Sequence, residues 1–554
     1  MRSDNIMTRL EKWIFSLTLM VIMMPSAVAS NATFDPFDKT LAELEAALDH
    51  GKVSSEQLVD YYLERIEALD DQGPQLNAFV ALNPDARRQA RAMDKERRTK
   101  GARGPLHGIP FVVKDNMDVA GFATTAGSVA LKQVYPQRNA FVVQRLLDAG
   151  AVLLGKANMT EFATSFGRPG YGSLDGTARN PYDLRYTASG SSSGPAVAVA
   201  ANMAPFSLGT DTEGSIRGPA NVNGLVGLRP TLGLLSRSGI FPLATSFDTP
   251  GPLAKTVEDA ARVLDVLQAV DEQDDATLLS ASKPVGHYTD ALDVQALEDA
   301  RIGIVTNFSA ANAEVTKVMK QTVRHLRDQG ADVEPVTLPE YCDTLWDSLI
   351  APVQNAEFKP GIERYLAKLD NDDAPRTLEA LIARCEANNR AGGKRSVNPN
   401  RIRGMKSTLD DHSIASPAYL DAVTYKMPAM RGKIKNVMNT GHFDALLFPS
   451  SKCPPPPLER DKAPDYHCTA ENPNASAGLA SVTGFPELTL PAGYTANGLP
   501  IGVSLLGRPF SERQLLSLAY ALEQATTVRH PPREAPRRLL PGRQRVQSES
   551  PATR

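Results

Sequence analysis

SGSSSGPAVAVAANMAPFSLGTDTEGSIR, residues 189–217, holds two small-residue loops, Ser189 to Gly194 and Gly209 to Ser215, on either side of an uncharged run from Pro195 to Leu208. Pro195 suits a first helical turn, where its missing N–H has no partner to lose. The Ala-Val-Ala-Val-Ala-Ala that follows is apolar on every face, which predicts a helix inside the protein. Ser191, Ser192 and Ser193 then sit at its N-terminus, where free N–H groups and the helix dipole favour negative charge. In the second loop Gly209, Gly214 and their small neighbours let successive N–H groups converge on one point, a nest able to hold an anion such as the oxyanion of an acyl transfer. A Gly/Ser-rich turn with solvated hydroxyls accounts for either loop alone; two such loops joined by a buried segment point to a site.

The chain around this stretch is long enough, at 554 residues with 42% hydrophobic, to bury a large core, as several domains or one large α/β unit. Its net charge of −3 argues against nucleic acid or an anionic membrane surface as the main partner. Arg2, Arg9 and Lys12 precede an apolar stretch from Trp13 to Pro25, and Ala27-Val28-Ala29 supplies a small-x-small cleavage site. This is the layout of a signal peptide over residues 1–29, with a mature start at Ser30 or close by, and it predicts a periplasmic or secreted protein. The apolar stretch is too short to span a bilayer. Four cysteines are present, and Cys453 and Cys468 bracket a proline-rich loop, CPPPPLERDKAPDYHC, that a disulfide could staple in an oxidising compartment. Cysteine spacing suggests neither a metal site nor a thiol nucleophile, so no metal or cofactor is expected.

Periodicity predicts two amphipathic helices over residues 37–70, broken at His50-Gly51-Lys52, and a charged helix from Pro84 to Lys100. Gly108 to Val113 reads as a buried strand with Lys114 at its end, and Ala151 to Leu154 as a second, followed by Asn158 and Thr160 as helix caps. Thr256 opens a helix with acidic residues in its first turn. Strands are expected at Arg301 to Phe308, Val333 to Leu338, Phe443 to Pro449, Leu488 to Pro491 and Ile501 to Leu506, with a helix from Ala313 to Gln329. Residues 341–425 read as a helical insertion, Ser511 to Gln514 as a capping box opening a last helix, and residues 534–554 as a disordered tail. Alternating strands and helices imply a single α/β/α layered domain with a mixed central sheet, residues 30–533.

The central stretch, with GIPFVVKDN upstream and GSIRGPANVNGLVGLRPT downstream, resembles the amidase signature family of serine hydrolases, and the resemblance covers nearly all of the chain after the signal peptide. It implies a Ser-cisSer-Lys triad, with Ser215 as nucleophile, Ser191 as bridging serine and Lys114 as base. It implies as well a cis peptide between Gly190 and Ser191, and an oxyanion hole of backbone N–H groups from Thr212, Glu213, Gly214 and Ser215. The chemistry is sensible on its own terms. A serine hydroxyl needs a base within reach, and an unperturbed lysine, protonated at neutral pH, becomes one only where burial without a carboxylate partner disfavours the ammonium. The departures from the family pattern are Glu213, Ser189 and Ser193, which stand where glycines are usual; an acidic residue at the first occurs in the peptide-amidase branch. If Glu213 had to adopt positive φ it would be strained, and its carboxylate is expected to point away from the oxyanion. Asp211 and Arg217 resemble residues that brace the loop.

Other readings are open to the sequence. Gly190 to Gly194 satisfies G-x-S-x-G with Ser192 as nucleophile, but residues 180–186 make a poor preceding strand. Ser280 to Lys283 matches S-x-x-K in a polar linker. An amidotransferase subunit, or a catalytically silent binding protein of the same fold, are the alternatives within the family; the export signal opposes the first and the complete triad the second. Asn355 to Lys359 with Tyr365-Leu366 resembles a peptide-amidase segment, implying peptide or other compact amides as substrates for a monomer or homodimer. His107, near the Lys114 strand, is read as structural.

Overall fold

Buried strands make up the centre of this protein, covered by helices on both faces so that they have no solvent side, and the polar residues they carry are held inside by partners. The computed structural model describes residues 34–164, 168–283, 286–369, 373–410 and 413–539; the expected signal peptide lies outside them. From Pro36 onward they form one compact unit.

The strands, in chain order, are β1 (Phe79–Leu82), β2 (Pro110–Lys114), β3 (Val152–Ala157), β4 (Tyr171–Gly172), β5 (Gly176–Thr177), β6 (Phe206–Asp211), β7 (Val226–Arg229), β8 (Thr249–Ala254), β9 (Arg301–Val305), β10 (Asp332–Val336), β11 (Ala445–Pro449), β12 (Glu487–Tyr494) and β13 (Pro500–Leu506). Eleven of them build one mixed sheet in the order β1-β3-β2-β6-β8-β7-β12-β13-β11-β9-β10, and β4 and β5 pair separately. β2 runs parallel to both β3 and β6, whereas β6 runs antiparallel to β8. Every residue of β2, β3, β6, β7, β8 and β13 is buried. The sheet is flanked by helices, as the α/β/α layering expected from the sequence requires. No helix among the described residues is long and apolar enough to cross a membrane.

The helix pair falls at Leu41–Asp49 and Ser55–Ile66, each opened by a capping box, Thr40 with Glu43 and Ser54 with Gln57. The helix after the serine loop spans Ser193–Ala200 and is buried throughout. Gly194 is required there: a Cβ would come within 2.4 Å of the carbonyl oxygens of Ala78 and Asn158. Helices Ala351–Ala367, Leu378–Arg390 and Pro399–Asp410 pack Phe358, Ile362, Leu381 and Met405 against Phe162 and Phe241, so the insertion packs on segments that connect the strands.

Several local expectations are corrected. Asn158 and Thr160 cap no helix; the Asn158 amide donates to Asn77 O and Gly176 O, and Thr160 Oγ1 accepts from Gly170 N. Ser511 precedes the helix Glu512–Thr526 but its hydroxyl turns back to Arg508 O, so no capping box forms. The helical run does not stop at residue 425 but continues through Met427–Thr440. The tail is ordered at its start: Ala535 is buried, and Arg65 binds its carbonyl and that of Pro536. Gly209 belongs to β6 rather than to the loop; its missing side chain makes room for Ser192, whose Oγ a Cβ would meet at 2.8 Å.

Candidate active site

Lys114 is the last residue of β2, and β6, paired alongside, delivers Thr210 next to it. Lys114 is fully buried, and its Nζ lies 2.7 Å from Ser191 Oγ, 2.7 Å from Thr210 Oγ1 and 3.3 Å from Thr210 O. No carboxylate is among these partners. Burial lowers its pKa to about 7, against the opposing pull of Asp211 and Asp248. A neutral amine has two N–H groups and one lone pair. Three partners match that inventory if the Ser191 hydroxyl donates to nitrogen and both Thr210 oxygens accept.

Two contacts zip the serine loop onto the strand and loop that follow it. Ser192 Oγ donates to Thr210 O at 3.1 Å and accepts from Thr210 N at 3.2 Å, while Ser192 N donates to Ser215 O at 3.1 Å. The second contact draws Ser191 and Ser215 into one place. Both line a cavity of about 380 Å³, into which Ser215 is slightly exposed. The Gly190–Ser191 peptide is cis, as the resemblance implies, and Ser189 takes a positive φ of 61° where glycine is usual. Ser192, the residue of the G-x-S-x-G reading, is sealed from solvent and committed to β6. The Ser280 hydroxyl donates to Thr277 O and the Lys283 ammonium lies over Phe510, so the two meet through the backbone bond from Lys283 N to Ser280 O and not through their side chains.

Asp211 organises the second loop. Its carboxylate accepts from Gly214 N at 2.9 Å and Ile216 N at 3.0 Å and is clamped by Arg217 and Arg229. Those two guanidinium groups hold its carboxyl, despite complete burial, well below the usual carboxylate range. Arg217 reaches on to Glu487 of β12 at 2.5 Å, which ties the loop to the far half of the sheet. The bracing expected of Asp211 and Arg217 is therefore present. It also corrects the expected anion nest: Gly214 N–H is taken by Asp211, leaving Thr212, Glu213 and Ser215 as the loop N–H groups without a protein acceptor among the described residues. Gly214, not Glu213, carries the positive φ, at 87°, so the glutamate is unstrained. Glu213 lines the cavity, half-buried.

Sequence reasoning missed Thr210 and Asn116, whose Nδ2 donates to Thr210 Oγ1 at 3.0 Å, and Asp248, which accepts from Thr212 Oγ1 at 2.5 Å. The threonine stands within the same G-T-D-T-E-G-S run, but its place beside Lys114 comes from the pairing of β2 with β6, which the sequence does not specify. The segment Asn355 to Lys359 does not line the cavity; Glu357 instead pins Ser246 and Tyr419, and Tyr365 binds Asp118 at 2.6 Å. Gln354, one residue earlier, is the part of that helix that reaches the cavity, together with Trp346. Cys453 and Cys468 form a disulfide, and the wall it closes presents Pro454, Pro455 and Pro456 to the cavity. His107 binds Met93 O at 2.9 Å, remote from Ser191.

The sequence profile described as Amidase matches residues 57–516. The peptide amidase of Stenotrophomonas maltophilia superposes with a TM-score of 0.81 at 38% identity, covering 90% of this chain and 98% of its own. A probable amidase of Arabidopsis thaliana is 33% identical over 525 residues, 93% of this chain and 95% of that protein. A glutamyl-tRNA(Gln) amidotransferase subunit from Pseudomonas aeruginosa is 36% identical over 496 residues, 88% of this chain and 97% of that protein. With its profile, its relatives and its mixed sheet in agreement, the chain belongs to the amidase signature family, and it is an amidase, a hydrolase of carboxylic amide C–N bonds.

Proposed function

We propose that this amidase is an exported enzyme that cleaves compact carboxylic amides, C-terminal peptide amides foremost, through an acyl-enzyme on Ser215. The observation that carries the reading is the buried Lys114 amine 2.7 Å from Ser191 Oγ with no carboxylate to hold it charged. Ser215 Oγ attacks the amide carbon; its proton passes to Ser191 as the Ser191 proton passes to Lys114. The oxyanion is held by the N–H groups of Thr212, Glu213 and Ser215. Collapse breaks the C–N bond, and the proton returns from Lys114 through Ser191 to the departing nitrogen. Water, deprotonated along the same path, then attacks the ester and frees the acid. Export rests on the basic and apolar N-terminal segment and its Ala27-Val28-Ala29 site; a mature N-terminus at Ser30 or close by in the protein recovered outside the cytoplasm is the result expected.

The test is a panel of C-terminal peptide amides, aryl amides and fatty amides, assayed with the wild type and Ser215→Ala. Ammonia release from the peptide amides, lost in the variant, is expected; equal rates in the two proteins reject the nucleophile. The 36% identity to an amidotransferase subunit favours a second reading. Turnover that needed partner subunits and a charged tRNA would move the assignment there.

A further inference from the structure

Three charged side chains line the cavity among the described residues: Glu213, Arg217 and Glu487. Arg217 is fully engaged, at 2.9 Å from Asp211 and 2.5 Å from Glu487, and Arg229 supplies the second counter-charge to Asp211. These four groups balance, two guanidinium groups against two carboxylates. Glu213 does not belong to that network. Its carboxyl has neither a hydrogen bond nor an ion pair with any described residue, and it sits half-buried on the cavity wall, one residue from Gly214 and two from Ser215. Lys114, neutral when it acts as base, adds no charge. The cavity thus holds one carboxyl group in excess of its cations.

A half-buried acid without a partner is a costly thing to keep in a protein, and the cost is recovered when a ligand supplies the missing donor. Burial pushes the Glu213 carboxyl up to about 8, with Arg217 drawing it down and Asp211 raising it further. An ammonium or guanidinium brought beside it reverses the effect of burial and forms a charge-assisted hydrogen bond. Because the backbone N–H of Glu213 faces the reacting carbonyl in the proposed mechanism, its side chain emerges close to the acyl group of the substrate. We infer that Glu213 is a specificity residue that selects amides carrying a cationic nitrogen on the acyl side, and that disfavours anionic ones. This rests on Ser215 being the nucleophile that anchors the carbonyl in this cavity.

The test compares substrates that differ by one ammonium: leucinamide against isocaproamide, and N-acetyl-lysinamide against N-acetyl-norleucinamide, at pH 7, where the α-amino group is still mostly protonated. The wild type is expected to prefer the cationic member of at least one pair by about tenfold or more in kcat/KM, the loss of one such contact being worth that much in discrimination. Glu213→Gln, which keeps the backbone and the size of the side chain, should bring that ratio near one, and Glu213→Asp should retain part of it. Ratios near one in the wild type for both pairs, or a preference that persists in Glu213→Gln, overturn the inference. Direct binding to Ser215→Ala, which needs no turnover, gives the second readout: leucinamide should bind more tightly than isocaproamide, and equal affinities likewise overturn it. Failure of the amidase reading looks different, since then the wild type and Ser215→Ala hydrolyse the neutral amides at the same rate whatever their affinities.

Discussion

Lys114 Nζ stands 2.7 Å from Ser191 Oγ, and its other hydrogen bonds among the described residues go to Thr210. Replacing this lysine by methionine removes the base while leaving a buried apolar side chain of similar length. Turnover of a peptide amide should fall by about 10²–10⁴, the usual contribution of a positioned general base. Circular dichroism and the denaturant midpoint should stay near wild type. Activity within threefold of wild type removes Lys114 from the mechanism.

The same lysine sets the pH dependence. Only the neutral amine accepts a proton, so with a pKa of about 7 the value of kcat/KM should rise with pH, bend near 7 and level off above it. Of the carboxylates that face it, Asp211 is held ionised by Arg217 and Arg229, whereas burial raises Asp248 against the hydrogen bonds from Thr212 and the N–H groups of Leu243 and Ala244. A profile flat from pH 5 to 9 contradicts the assignment.

Thr210→Val keeps the shape of β6 but deletes the hydroxyl acceptor 2.7 Å from Lys114. That hydroxyl also stabilises the ammonium form, so its loss should move the rising limb of the pH profile to lower pH while kcat falls, with KM little changed. A fall in activity with the limb unmoved would assign Thr210 to packing alone.

Asp211→Asn leaves Arg217 and Arg229 buried with one carboxylate, Glu487, between them. Breaking a buried ion pair from one side costs about 3–5 kcal/mol, and the bond to Gly214 N weakens with it. A large drop in the urea midpoint together with loss of activity is expected; a stable, fully active variant would show that the loop is shaped without this carboxylate.

Reducing the Cys453–Cys468 bond loosens a wall rather than the reacting groups. Tyr466 donates to Pro454 O at 3.1 Å and Thr187 N to Pro456 O at 3.0 Å, so the wall should persist without the staple but fluctuate more. Cys453→Ser with Cys468→Ser should therefore raise KM more than it lowers kcat.

Much of this was legible because the site is local in sequence. Ser191 and Ser215 fall within one run, and Lys114 ends an apolar strand, where a lysine is more often a solvated strand end; the family resemblance is what implied its role as base. What escaped is non-local or disguised. β8, Thr249–Ala254, carries Pro250 and Pro252, and no strand is expected there from the sequence; β7 pairs only with Leu253 and Ala254, so the prolines face no demand for a donor from that side. Glu487 opens a strand, and nothing near it announces Arg217. The commitment of Gly214 N–H to Asp211 depends on how the loop folds back on its own first residue, which spacing alone does not specify.

The Arg217–Glu487 contact joins positions 270 residues apart. While the ribosome is still making the helical insertion, β7 has an open edge where β12 will dock, and the guanidinium that steadies the nucleophile loop lacks one of its anions. Until β12 has emerged, the loop that carries Ser215 lacks one of its braces, and the open edge of β7 presents unpaired N–H and C=O groups to other chains. Chains that stop short of Glu487 should then lack activity.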